Sequence, residues 1–226
     1  MRRVRVLILA SACCAVVLAL PSGGHALVVG QVTNSLNEAC DGRNNSLVQA
    51  KSAPGHKSFR IPRNGVITAW AHNSRGISGS KLKLKIFRPQ GGRRFKMIGE
   101  SSFERFDNNG VITNRTRIRV RRGDVLGLGL ANNAPSSPAS CFDPDGFRGD
   151  REYARADDVR RGQTRGFPAG PFQVRLNVRA RLEPDSDRDG FGDRTQDRCP
   201  SSARTQSPCP ASPGLLRLLR AALPGA

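Results

Sequence analysis

Phe172-Gln173-Val174-Arg175-Leu176-Asn177-Val178-Arg179-Ala180-Arg181-Leu182 reads as a strand from end to end. Phe172, Val174, Leu176, Val178, Ala180 and Leu182 alternate with Gln173, Arg175, Asn177, Arg179 and Arg181. Strand side chains point to opposite faces in turn, whereas a helix would scatter these apolar residues around its surface. The pattern predicts a sheet with one buried face and one wet face, the habit of antiparallel sheets.

Upstream the same signal recurs. Lys81-Leu82-Lys83-Leu84-Lys85-Ile86 alternates strictly, so Leu82, Leu84 and Ile86 should face a core and the lysines water. Gly65 to Ala71, with Trp70, is rich in strand formers, and Phe95 to Gly99 and Thr116 to Val120 are further strands. Gly123-Asp124 should turn the chain into Val125-Leu126-Gly127-Leu128-Gly129-Leu130, where the glycines allow close approach on one face. No stretch of residues 27–182 has a 3.6-residue apolar period with caps. Residues 27–182 are therefore expected to form an all-β domain, an antiparallel β-sandwich of jelly-roll-like type. Residues 144–170 break the pattern and read as a long surface loop.

The chain opens with Met1-Arg2-Arg3-Val4-Arg5, an apolar run from Val6 to Leu20, and small residues at Gly24 and Ala26. This is the layout of a secretory signal over residues 1–26. The run is short of the roughly 20 residues a membrane span needs, so no transmembrane span is expected in the mature chain. The whole sequence has 37 Lys+Arg, 18 Asp+Glu and a net charge of +19. Cleavage after Ala26 removes three arginines (Arg2, Arg3 and Arg5) and no acid, leaving +16. Residues 211–226 form a tail in which Leu215 to Leu223 can make a short amphipathic helix.

Cys40, Cys141, Cys199 and Cys209 follow the signal, and an even count in an exported chain suggests two disulfides. Four cysteines allow three pairings. Cys40–Cys141 with Cys199–Cys209 keeps each bridge inside one module and is the pairing expected.

The acids are unevenly spread. Residues 183–197 hold six of the 18. Carboxylates about 4 Å apart repel by about 1 kcal/mol even in water. A calcium ion, which takes six to eight oxygen ligands, would relieve that repulsion. Numbered from Asp185, the carboxylates of Asp185, Asp187 and Asp189 fall at positions one, three and five, with Gly190 at the sharp turn. Phe191 would offer its carbonyl at seven, and Asp193 at nine would bind the ion directly or through water.

Asp185-x-Asp187-x-Asp189-Gly190-x-Gly192-Asp193, followed by Asp197-x-Cys199-Pro200, resembles a thrombospondin type 3 repeat over about 16 residues. The resemblance implies a segment with little regular structure, ordered by calcium and disulfides, over 183–210. The family usually has an acid at position twelve. Here that position is Gln196, and the resemblance makes Asp197, one residue later, the remaining ligand. The wider layout is similar to exported proteins of actinobacterial type, in which a β-rich domain with a segment like Arg122 to Leu128 precedes one such repeat. That resemblance implies no activity.

No G-x-S-x-G or H-E-x-x-H motif occurs, and the three histidines are His25, His56 and His72. Acids such as Glu100, Glu104 and Asp107 do not single out a glycosidase pair. No catalytic residue is assigned. Lys81, Lys83, Lys85, Arg115, Arg117, Arg119, Arg121, Arg175, Arg179 and Arg181 are expected on outward strand faces. Together they make either a solvated basic face or a surface that would attract an anionic cell-wall polymer or glycan. Aromatics make up 5% and no stacking motif is seen, which argues against nucleic acid. The sequence thus leads to a secreted or cell-surface, non-enzymatic calcium-binding protein acting as a binding or adhesion module. The competing readings are a structural spacer with no ligand beyond calcium and a glycan-active enzyme.

Overall fold

The computed structural model describes residues 24–33, 38–39, 46–73, 80–106, 110–131, 140–143 and 146–210. The expected export signal up to residue 23, Cys40 and the tail from 211 lie outside them. In chain order the strands are β1 (Leu27–Gln31), β2 (Glu38–Ala39), β3 (Ser46–Lys51), β4 (Gly65–Asn73) and β5 (Ser80–Pro89). Then come β6 (Arg94–Glu100), β7 (Glu104–Phe106), β8 (Val111–Val120), β9 (Val125–Leu130) and β10 (Ser140–Asp143). The last are β11 (Arg151–Arg155), β12 (Thr164–Gly166), β13 (Ala169–Phe172), β14 (Arg175–Leu176) and β15 (Val178–Glu183).

The protein is all-β, and the named strands pair antiparallel. A four-stranded sheet runs β1-β15-β4-β8. A longer, curled sheet runs β12-β6-β5-β9-β3-β11-β13, with β7 on the end of β5. A small third sheet joins β14, β10 and β2. Alternation in the sequence explains the main core. Val29, Ile67, Trp70, Ile118, Val120, Val178, Ala180 and Leu182 point inward from the four-stranded sheet. Leu47, Leu82, Leu84, Ile86, Leu126, Leu128 and Leu130 meet them from the longer one. Burying each such side chain is worth about 1.5–3 kcal/mol.

The longer sheet is covered on its other face too, and this corrects the expectation for Lys83 and Lys85, while Lys81 is exposed as expected. Val48, Phe87, Phe95, Met97, Val125, Val159 and Phe167 form a second core there, with Tyr153 beside it. Lys83 and Lys85 lie inside this covered face rather than in water. Asp158 accepts from Lys83 Nζ at 2.9 Å and also pairs with Lys85, whose Nζ donates to Ser46 Oγ at 2.8 Å and the Val159 carbonyl at 3.0 Å. Burial pushes the Lys85 ammonium down, and Asp158 offsets part of that fall. Gly129 makes the packing possible, because a Cβ there would sit 2.6 Å from Lys85 Cε and 2.8 Å from the Lys83 stem.

The cover comes from residues 144–170, which were expected to be a surface loop. Their described part carries β11 and β12 and begins β13, and it contributes Tyr153, Val159 and Phe167 to the second core.

The strand read over Phe172 to Leu182 is also interrupted. It divides into the end of β13, then β14 and β15. Period-two burial holds from Val178 to Leu182, but Phe172 is 46% exposed and Arg175 and Asn177 are buried. Asn177 is held by the Thr33 amide and the Asn73 carbonyl, and Arg175 by an ion pair. Arg175 Nε donates to Asp150 Oδ2 at 2.7 Å, and Nη2 to Oδ1 at 3.3 Å. Burial raises the Asp150 carboxyl, but Arg175 and the Phe147 and Ala53 amides overcome it and hold the group below its usual range.

Candidate metal centre

The acidic segment begins inside the fold. Glu183 ends β15 and is fully buried, and its carboxylate gathers the start and end of the loop. Oε1 accepts from Thr68 Oγ1 at 3.1 Å and Thr195 Oγ1 at 2.9 Å. Oε2 accepts the Arg194 and Thr195 amides at 3.1 and 3.0 Å. Arg181 Nε lies 2.9 Å from Oε1. The sequence reading did not single out Glu183. Its only signal was one acid ending the strand just before the cluster.

Between these anchor points the chain folds back on its own aspartates. The Gly190 amide donates to Asp185 Oδ1 at 3.2 Å, the Asp189 amide to Asp187 Oδ1 at 3.1 Å and the Phe191 amide to Asp189 Oδ1 at 2.8 Å. Arg188 (φ 64°) and Gly190 (φ 93°) take the left-handed turns. Gly190 suits that backbone, and a Cβ on it would also meet the Arg119 guanidinium at 2.3 Å.

The turns bring Asp185, Asp187 and Asp189 together. One carboxylate oxygen from each lies within 4.8 Å of the others, and all three residues are partly exposed. This triad could hold a metal ion. Asp193 is engaged differently, accepting from the Ser186 amide at 3.0 Å and Ser186 Oγ at 2.6 Å. Phe191 turns its ring beneath Arg117, whose guanidinium carbon sits 4.0 Å from the ring centre. Gln196, at the twelfth position, is a docking side chain: its Nε2 donates to the Thr116 carbonyl of β8 at 2.8 Å.

Asp197 is buried and stands outside the triad. Its Oδ1 accepts the Cys199 amide at 2.7 Å. Its Oδ2 is buried without a hydrogen-bond partner, and so is Asp187 Oδ2. Unpaired buried carboxylate oxygens are costly, and a bound cation removes the cost. The electrostatics point the same way. Burial raises the Asp197 carboxyl, the Cys199 amide lowers it, and the charges of Asp187, Asp189 and Asp193 raise it further. Asp185 is also raised, first by burial and then by Asp189 and Asp187, against the Gly190 amide and Arg119. The neighbouring carboxylates thus add to the rise at both Asp185 and Asp197.

The disulfide Cys199–Cys209 closes the segment, with its Cα atoms 4.7 Å apart. The closed loop returns Gln206 to the acidic turn. Gln206 Nε2 donates to Asp189 Oδ2 at 2.8 Å, and its carbonyl accepts the Arg198 amide at 3.0 Å. Cys141 is disulfide-bonded as well, while Cys40 lies outside the described residues.

Among the other residues considered from the sequence, His72 is buried in β4. Its Nδ1 lies 2.7 Å from the Asn177 carbonyl, and burial pushes the ring down to about 4. His56 is exposed and stacks on Phe147 at 3.7 Å. Arg115, Arg117, Arg119, Arg121, Arg179 and Arg181 are exposed on the four-stranded sheet or its end, as expected. Arg175 is not among them, because Asp150 draws it inward. Among the described residues no helix is long and apolar enough to cross a membrane. No family model matches the chain, and no curated protein or solved structure matches it either.

Proposed function

We propose that this is an exported, non-enzymatic calcium-binding protein. Its C-terminal segment, 183–210, works as a single thrombospondin type 3-like repeat seated on a β-domain that spans 27–182. The observation that carries this reading is the meeting of three aspartate carboxylates within 4.8 Å on a turn beside buried, unpartnered oxygens of Asp187 and Asp197. An all-oxygen donor set with several carboxylates suits calcium over softer ions. Asp185, Asp187 and Asp189 would hold it. Asp197 and the Phe191 carbonyl complete the shell by closing onto it, and Asp193 braces the turn through Ser186. The metal supplies charge neutralisation and order. An extracellular place agrees with the Cys199–Cys209 disulfide.

The jelly-roll reading of the β-domain draws support from strand order. Taking β1, β3, β4, β5, β6, β8, β9 and β15 as eight consecutive strands, the sheets run first-eighth-third-sixth and second-seventh-fourth-fifth. That is the order of two interlocked Greek keys.

Thermal unfolding in EDTA, in calcium and in magnesium tests the metal's identity. The reading expects a midpoint that rises with calcium and moves far less with equal magnesium. A larger rise with magnesium than with calcium would assign the site to another ion.

A further inference from the structure

A cleft of about 900 Å³ opens between the acidic turn, the end of β8 and β6. Arg88, Arg117, Arg119, Arg121, Arg161 and Arg188 line it. Three of these are committed. Arg88 grips Asp124 through two hydrogen bonds of 2.8 and 3.0 Å, Arg117 covers Phe191, and Arg119 Nη2 donates to the Arg188 carbonyl at 2.6 Å. The guanidiniums of Arg121, Arg161 and Arg188 make no hydrogen bond or ion pair among the described residues, and all three residues are exposed. Three exposed arginines lining one concavity can serve anionic groups, which guanidiniums hold through paired N–H donors.

The rest of the lining narrows the ligand. Asn64 lines it with an amide group suited to sugar hydroxyls, while Glu100 is held by Lys83 at 2.7 Å. Among the described lining residues the one aromatic is Phe191, and Arg117 occupies a face of its ring, which leaves little for stacking bases. Asp185 and Asp189 also line the cleft, so its charge depends on the metal site. A cation that neutralises them leaves the arginines unopposed.

We propose that the cleft binds an acidic polysaccharide. Its carboxylate or sulfate groups sit on Arg121, Arg161 and Arg188, and cation binding in the adjoining turn tightens the complex. The second half rests on the calcium reading above. Linkage makes the coupling reciprocal, so the glycan also tightens the cation.

The test uses the folded protein and two labelled probes, a heparin hexasaccharide (sulfate and carboxylate) and trigalacturonate (carboxylate alone). Binding is measured in calcium and in EDTA. Arg121→Gln/Arg161→Gln is compared with Arg179→Gln/Arg204→Gln, which removes the same charge elsewhere. The proposal expects at least one probe to bind, the cleft variant to lose about tenfold or more, and the control to stay near the wild type. Calcium heat should persist in both variants, and EDTA should weaken wild-type binding several-fold. Equal losses in the two variants would reduce the attraction to overall charge and overturn the site. Tighter binding of a single-stranded oligonucleotide than of either glycan would overturn the ligand class. Binding that needs the cleft arginines but is unchanged in EDTA would overturn the coupling alone, and calorimetry with calcium then shows whether the metal reading has also failed.

Discussion

Glu183 shows how much one carboxylate can hold. Its two oxygens take two backbone amides and two hydroxyls and lie beside Arg181, and together these tie the acidic segment to β4 and β15. Glu183→Ala leaves the Arg194 and Thr195 amides without their acceptor. Hydrogen bonds to charged groups are worth about 1.5–3 kcal/mol, so the loss should be about 3 kcal/mol in denaturant unfolding. A change within experimental error would show that the segment is not anchored there.

Glu152 makes a different claim at the same scale. It is fully buried on β11, and burial raises the group to about 8, against a weaker lowering by the Val48 amide. The folded state therefore keeps a proton that the unfolded chain, near 4.5, gives up. Stability from this group is complete below 4.5, declines as pH rises, and is lost above about 8. Glu152→Gln should flatten the fall in melting temperature between pH 5 and pH 9. A wild-type slope retained by the variant would contradict the assignment.

Among the elements, strands with one wet face were the most legible. Val178 to Leu182 on β15 and Thr116 to Val120 on β8 put arginines outside and apolar residues inside, as their alternation implies. Alternation says only that two sets of side chains point apart; it cannot say that the second face is covered. That is why Lys83 and Lys85 read as exposed: their cover, Val159 and Phe167 with Asp158, arrives more than 70 residues later. Arg175 was hidden in the same way by Asp150. The acidic turn is local, and its aspartates, Gly190 and the Cys199–Cys209 bridge could be read in place. Its docking on β8 through Gln196 and on β4 through Glu183 could not, since those partners lie far away in sequence.

The closed loop supports a further expectation. Cys199→Ser/Cys209→Ser should cost about 2–3 kcal/mol in the chain-entropy model and loosen Gln206 from Asp189. Calcium affinity should fall with it. Unchanged affinity in a folded double variant would show that the turn is organised without the bridge.

At the scale of the whole molecule, the acidic segment is seated on the outer side of the four-stranded sheet rather than trailing from it. Gly192 has no room for a Cβ, which would fall 2.4 Å from Thr68 Cγ2 and 2.6 Å from Glu183 Oε2. Arg119 and Arg117 of β8 reach Arg188 and Phe191 from the same sheet. A cation in the turn would thus stiffen one wall of the arginine-lined cleft and change its charge, joining metal binding to whatever surface function the β-domain has. The measurement that bears most directly on this account is calorimetric titration of calcium into the folded protein beside Asp187→Asn/Asp189→Asn. The account predicts one stoichiometric binding event in the wild type and none in the variant, with both proteins folded. No heat from the folded wild type, or equal heat from the variant, would contradict it.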